Sequence, residues 1–258
     1  MEQQASQPAR RPLPTRPLPT FMHPRIFRIG EDRRDADPVR PTGFAELDRE
    51  LPGGGWPHAG LIEIGCDQSG IGELSLLLQG PQHTLPGPLL WVLPDVQPWI
   101  PYAPGLAAQG VELSQLAIAR TRDNEDTLWV AEQALRSGAC RSVVLWLAGS
   151  YCSPLRLRRL LQAALSGSCT AIALRPLESL VAPSPAGLRI GLHAEAGGAL
   201  RLDLVKRRGL PAGKSVTVTP RKLPCLLRLG ATGARPSRWL DRLLTGPTAN
   251  ETATLSAD

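Results

Sequence analysis

The chain has few aromatic residues and no long apolar run. Aromatic residues make up 4% of the 258 residues, although six of them are tryptophans. No stretch approaches the roughly 18 consecutive apolar residues of a membrane span. Pro and Arg interrupt the first residues throughout, so they form no apolar core of a secretory signal. These absences argue against a membrane protein or a secretory precursor and predict a cytoplasmic protein.

Spacings typical of disulfides, metal sites and nucleophilic catalysis are also missing. The five cysteines are odd in number and never fall as C-x-x-C, and the four histidines lie far apart. No histidine has a plausible nucleophile near it in the sequence. The sequence therefore predicts a reducing compartment, no metal and no resident cofactor.

Lysine is scarce, since the 29 basic residues include only Lys206, Lys214 and Lys222. The formal net charge of +6 is compatible with nucleic acid or acidic partners. However, no arginine cluster is interleaved with aromatic residues, as single-strand-binding surfaces require. A soluble protein with basic tails is the simpler interpretation.

Composition divides the chain into three parts. Residues 1–40 are rich in Pro and Arg and are predicted to be a disordered tail. Residues 41–229 have the patterning of a folded core domain. Residues 230–258 are predicted to be a flexible tail that contains a short amphipathic segment, 237–244.

Within the core, predicted strands alternate with predicted helices. The strands are "LIEIG", "PLLWVLP", "LAIAR", "SVVLWLA" and "TAIALRP", and the helices between them include "GELSLLLQG", "NEDTLWVAEQALRSG" and "SPLRLRRLLQAALSG". This alternation predicts an α/β fold, with a mostly parallel twisted sheet and helices on both faces. The later segments "AGLRIGLHAE", "GALRLDLVKRR" and "SVTVTP" predict an antiparallel extension at the C-terminal side. Trp91, Trp129 and Trp146 are predicted to be in the core, and Trp56 and Trp99 near exposed loops.

The loop "GCDQSGIGEL" stands where a phosphate-binding P-loop would stand, between a strand and a helix. That motif is G-x-x-x-x-G-K-[ST], and Gly65 and Gly70 match its two glycines, with Ser69 before the second. Ile71 replaces the lysine that would contact phosphate, and Gly72 replaces the hydroxyl that would hold magnesium. Asp67 and Glu73 add negative charge that would repel phosphate. The loop is a degenerate P-loop, and no nucleotide cofactor is expected.

The residues around this loop resemble the start of the RecA recombinase core. The segment "TGFAELDRELPGGGWPHAGLIEIGCDQSGIGEL" has the T-G-x-x-x-L-D run and the Gly-rich turn that precede the RecA P-loop. The combination of "LPGGGWP", "GIGEL" and "AEQALRSGAC" more closely resembles the ImuA family of RecA-like proteins of bacterial translesion DNA synthesis. This resemblance implies a RecA-like P-loop core.

The resemblance to RecA also assigns catalytic roles to particular positions. The water-activating acid corresponds to Asp95, a shorter carboxylate, and the acid that ends the next core strand corresponds to Trp146. With Ile71 and Gly72, three roles are vacant, so ATPase activity is not expected. The connections that bind DNA in RecA correspond to "GSYCSP" and "PLESLVAPSPAG", which are short, so any DNA contact is expected to be indirect.

Resemblance to ImuA implies an accessory role in an SOS-induced mutagenesis complex. The expected partners are an ImuB-like protein, an error-prone DnaE-type polymerase and, as a further candidate, RecA. One alternative is a cell-division inhibitor of the SulA type that binds FtsZ, since that family shares the RecA-like fold. Another is a residual nucleotide or DNA binder.

Two segments are candidates for partner binding. In residues 237–244, an apolar stripe is formed by Trp239, Leu240, Leu243 and Leu244, which would suit docking in a groove. A predicted hairpin concentrates Lys206, Arg207 and Arg208. For each, the simpler alternative is structural: a terminal helix packed on its own domain, or a solvated turn. Arg156, Arg158 and Arg159 are predicted to be the polar face of a helix.

Overall fold

The structure is a computed structural model that describes residues 38–80, 87–96, 99–221 and 226–228. Contacts divide the chain into units 1–36 and 37–258, and every described residue belongs to the second unit. The predicted disordered tail, apart from residues 38–40, and the predicted helix 237–244 lie outside the described residues, as do all four candidate binding residues of that helix. Those predictions stay open.

Twelve strands and five α-helices are found in the described residues. The helices are α1 Ala45–Asp48, α2 Glu73–Leu78, α3 Ala103–Ala108, α4 Asn124–Ser137 and α5 Pro154–Ser166. The strands are β1 Val39–Arg40, β2 Trp56–Pro57, β3 Gly60–Cys66, β4 Leu89–Pro94, β5 Trp99–Pro101, β6 Leu116–Thr121, β7 Ser142–Trp146, β8 Thr170–Pro176, β9 Leu188–Ala194, β10 Leu200–Arg207, β11 Lys214–Val218 and β12 Leu226–Arg228.

Eight of these strands form one mixed sheet in the order β11-β10-β9-β3-β8-β7-β4-β6. From β9 to β6 every neighbouring pair is parallel, and β10 and β11 then add antiparallel strands beyond β9. The predicted α/β fold with an antiparallel extension is confirmed. The extension begins one strand later than predicted, because β9 runs parallel to β3.

Helices cover both faces of the sheet and create two cores. One face packs against α1, α2 and α3 through leucines such as Leu47, Leu76 and Leu106. The other face packs against α4 and α5 through Leu128, Leu135, Leu157 and Leu160. Burial on both faces explains why β3, β7 and β8 read as continuous apolar runs rather than as alternating ones.

The ends of α4 show why this segment has the clearest helical pattern. The side chain of Asp123 caps the helix by accepting a hydrogen bond from the Asp126 amide at 2.9 Å. Gly138 ends it in the left-handed conformation, with φ 66° and ψ 4°. The predicted stop at Gly138 is confirmed.

The tryptophans divide differently from the prediction. Trp91 and Trp146 are buried, as predicted, but Trp129 is 59% exposed and Trp56 is only 3% exposed. The prediction for Trp129 was wrong because α4 buries the stripe Leu128, Ala131 and Leu135, and Trp129 lies beside that stripe. The prediction for Trp56 was wrong because β2 pairs with β1 and places Trp56 in the core that contains α2.

No helix among the described residues has both the length and the apolar composition to cross a bilayer.

Candidate functional site

The degenerate P-loop lies at the carboxyl end of β3, near the middle of the sheet. The T-G-x-x-x-L-D segment packs beside α2, the helix that the loop leads into. The Thr42 amide donates to Asp48 Oδ1 at 2.8 Å, which closes the turn that leads into α1. Gly43 has φ +90°, and a Cβ there would lie 2.9 Å from the backbone of Gln79 and Gly80. The motif therefore permits close packing of backbone against the end of α2.

The backbone amides of the loop donate to a side chain of the protein itself. The Gly70 amide donates to Glu73 Oε1 at 2.7 Å, and the Gly72 amide donates to Glu73 Oε2 at 3.1 Å. Glu73 is 1% exposed. In a phosphate-binding loop, amides of this kind point at the anion. Here a carboxylate, the first residue of α2, accepts their hydrogen bonds.

Glu73 was predicted to repel phosphate from beside the loop, and its hydrogen bonds to the loop amides were not predicted. The available signal was a Glu directly after Gly72, because a carboxylate is favoured in the first turn of a helix. Asp67, the other predicted source of negative charge, is exposed on the same loop.

The backbone of the loop also departs from what a magnesium-binding residue would require. Gly72 has φ +125°, a conformation that a residue with a Cβ rarely adopts. A Cβ at Gly72 would also lie 3.2 Å from the Leu200 side chain. Ile71 is half-buried and packs against the core that contains α2.

Burial and nearby negative charge both affect Cys66, at the start of the loop. The pKa of the Cys66 thiol is raised to about 12, chiefly by burial and then by Glu73 and Asp67. Gly65 is covered by Leu180, whose side chain would lie 2.7 Å from a Cβ at that position. Leu180 belongs to a 3-10 helix, Leu177–Val181, that follows β8. The loop is therefore packed against protein at Gly65, and its environment disfavours further negative charge.

Trp146 lies in the core, at the end of β7. It is 3% exposed and packs edge-to-face against Trp91 of β4, with ring centroids 5.8 Å apart and planes 65° apart. The indole therefore has a packing role and has no carboxylate to offer a metal-bound water.

Asp95 follows β4 and points toward the edge of the sheet. Its Oδ1 accepts a hydrogen bond from Arg120 Nε at 3.0 Å, and its side chain is 60% exposed. In the sheet order, β8 and β7 lie between β3 and β4. Within the described part of the chain, no group of three or more His, Cys, Asp or Glu side chains is placed to hold a metal ion.

Comparison with known proteins relates the sequence of this chain to RecA. The chain is 32% identical over 121 residues to RecA of Caldanaerobacter subterraneus subsp. tengcongensis and 34% identical over 123 residues to RecA of Geobacter metallireducens. It is also 27% identical over 121 residues to RecA of Saccharopolyspora erythraea. The core is RecA-like.

The similarity covers only part of each protein. Each match spans 46% of this chain and about a third of the RecA sequence, between 34% and 35% of its length. No protein-family model matches the chain. The RecA-like core is therefore a distant and partial relative of the recombinases.

Buried arginines anchor the connections after β7 and β8 to the sheet. Glu63 of β3 is fully buried and pairs with both Arg175 of β8 and Arg189 of β9, the second at 2.7 Å. Arg175 also donates to the Ser150 carbonyl at 3.1 Å, and Arg189 to the Ser179 carbonyl at 3.3 Å. Glu63 thus holds the connections after β7 and β8 through two guanidinium groups, which was not predicted from the sequence.

The basic hairpin between β10 and β11 is partly engaged in internal contacts. Arg207 is buried and donates to the carbonyl and carboxylate oxygens of Glu50 at 2.9 and 3.2 Å. Lys206 Nζ donates to the Ser184 carbonyl at 2.9 Å, and burial lowers the pKa of Lys206. Arg208 is exposed. Of the three, Arg208 is the residue most accessible to a partner, and partner binding at this hairpin stays a prediction.

Proposed function

We propose that this chain is a non-catalytic RecA-like accessory protein of damage-induced, error-prone translesion DNA synthesis, acting through protein–protein contacts. Similarity to RecA supports the RecA-type part of the proposal. The resemblance of "LPGGGWP", "GIGEL" and "AEQALRSGAC" to ImuA supports the link to translesion synthesis.

The observation that carries the non-catalytic part is the pair of hydrogen bonds from Gly70 and Gly72 to Glu73. A phosphate would have to displace a buried carboxylate that already satisfies both amides. No lysine at position 71 would compensate, and charge-assisted hydrogen bonds are worth about 1.5–3 kcal/mol each. The packing of Trp146 and the conformation of Gly72 point in the same direction.

The proposed partners are an ImuB-like protein, an error-prone DnaE-type polymerase and RecA. The test immobilises the purified chain and measures capture of each purified partner. We expect at least one partner to bind without added nucleotide. A chain that lacks residues 231–258 tests whether the segment 237–244 contributes to that contact.

Failure of all three partners to bind the full-length chain would overturn the proposed accessory role. ATP turnover by the purified chain at a recombinase-like rate would overturn its non-catalytic part. A variant with Ile71→Lys alone serves as the control for turnover, because it supplies the missing charge while Glu73 still occupies the loop amides.

A further inference from the structure

Two ion pairs link α4 to α5, the helices that cover one face of the sheet. Arg156 of α5 pairs with Glu125 of α4, and Arg159 of α5 pairs with Glu132 of α4 at 3.0 Å. Arg136, one turn after Glu132 on α4, also pairs with it at 2.8 Å. These ion pairs hold three partly exposed arginine side chains against α4, and Glu132 itself is buried.

Trp129 lies between the two bridges on α4. It is four residues after Glu125 and three before Glu132, which places the three side chains on one face of the helix. Trp129 is 59% exposed and lies beside the buried stripe of α4, at whose edge Glu132 lies. Tryptophan and arginine are enriched among the residues that contribute most to protein–protein binding.

The neighbouring part of α5 adds exposed apolar area and positive charge. Leu155 is 66% exposed, and Arg158 is exposed one turn further on. We call this region the α4–α5 surface, defined by Trp129, Arg136, Leu155, Arg156, Arg158 and Arg159. Its four arginines and the two glutamates that pair with three of them, Glu125 and Glu132, leave this surface with an excess of two positive charges, four minus two.

We propose that the α4–α5 surface binds an acidic segment of a partner protein, with one bulky apolar side chain of that segment against Trp129. The excess of arginine selects acidic residues, and the pre-ordered bridges reduce the entropy lost on binding. A second copy of this chain is a poor occupant because the chain carries a net charge of +6. The segment 237–244 is also unsuited, since it has two arginines and one aspartate.

The proposal rests on the proposed function only in assuming that the chain acts by binding proteins, and it is tested without any named partner. Random peptides displayed on phage are selected on the full-length chain, and the affinities of the selected peptides are measured by fluorescence anisotropy. We expect acid-rich peptides with a bulky apolar residue. Trp129→Ala should weaken their binding at least ~30-fold, and Arg158→Glu should weaken it and flatten its salt dependence.

Two matched variants control for loss of apolar area and of charge elsewhere. Val181→Ala removes an exposed apolar side chain from the 3-10 helix Leu177–Val181, which packs against β3 and β9, and Arg49→Glu reverses an exposed charge after α1. Both should bind within about twofold of the wild type. Selected peptides without acidic residues, or equal affinity for wild type and Trp129→Ala, would overturn the proposal.

Binding of the proposed partner proteins tests the accessory role and the α4–α5 surface separately. If an ImuB-like protein, the polymerase or RecA binds wild type and Trp129→Ala equally, the accessory role stands and the α4–α5 surface is overturned as its binding site. If none of them binds the wild type, the accessory role fails, and the peptide affinities alone decide whether this surface recognises acidic segments.

Discussion

At the scale of single residues, the Glu73 carboxylate accepts hydrogen bonds from two amides of the loop that precedes it. Glu73→Ala leaves both donors without this acceptor, so we expect unfolding to become easier by about 2–3 kcal/mol. Glu73→Gln keeps one good acceptor and should lose about half as much. Urea denaturation of the three proteins measures the difference, and an alanine variant within about 0.5 kcal/mol of wild type would contradict the described geometry.

Glu63 lies deeper and neutralises two buried guanidinium groups. Glu63→Gln leaves Arg175 and Arg189 without their counter-charge, and such a break costs about 3–5 kcal/mol. We expect Tm to fall by roughly 6–20 °C. The control is Glu125→Gln, because the carboxylate of Glu125 is 62% exposed and its pair with Arg156 contributes little stability. Equal melting temperatures for the two variants would contradict a stabilising role for the Glu63 carboxylate.

Cys66 makes stability depend on pH in the alkaline range. Its pKa is about 12 in the folded protein against 9.0 for an ordinary cysteine thiol, so the unfolded chain loses the thiol proton first. Stability should therefore be unaffected below pH 9 and should fall as pH rises toward 12. Between pH 9 and about pH 10 the loss is about 1 kcal/mol. The unfolding free energy of Cys66→Ala should fall less over the same interval.

At the scale of elements, the ends of α4 and α5 meet at two glycines. A Cβ on Gly167 would lie 1.8 Å from the Leu135 carbonyl oxygen, so Gly167→Ala must separate the helices and should cost about 3 kcal/mol. Gly138→Ala strains the left-handed residue that ends α4 and brings a Cβ to 3.3 Å from the Gly167 carbonyl oxygen, which together cost about 1–2 kcal/mol. Gly187→Ala meets no atom within 4 Å and should be neutral. Thermal melts rank the three variants, and a reversed order for Gly167 and Gly138 would refute this packing.

Local patterns were enough to predict these elements but not their long-range contacts. The apolar spacing and the terminal Gly138 gave α4 its bounds, and the apolar runs of β3, β7 and β8 predicted a sheet buried on both faces. The role of Glu63 could not be predicted, because its partners lie 112 and 126 residues away. The hydrogen bonds of Glu73 depend on the positive φ of Gly72, and the burial of Trp56 depends on the pairing of β1 with β2.

At the scale of the whole molecule, nucleotide should not change the stability of the fold, because Glu73 already accepts the hydrogen bonds of the loop amides. A ligand present at a hundred times its Kd stabilises a protein by about 2.7 kcal/mol, which would raise Tm by roughly 5–10 °C in a domain of this size. We expect a shift below about 1 °C in millimolar magnesium ATP, measured by differential scanning calorimetry. A bacterial RecA in the same buffer is the positive control, and a saturable rise for this chain would contradict the prediction.

The conformation of Gly72 determines how hard it would be to engineer nucleotide chemistry into this core. A lysine at position 71 alone enters a loop whose amides already donate to Glu73. A threonine at position 72 alone must adopt a positive φ. Removing Glu73 alone weakens the fold before any phosphate can compensate. Because none of the three substitutions restores a phosphate site without the other two, a stepwise route through single substitutions gains no nucleotide binding at any step. A laboratory selection for nucleotide binding should therefore succeed only from libraries that vary all three neighbouring positions together.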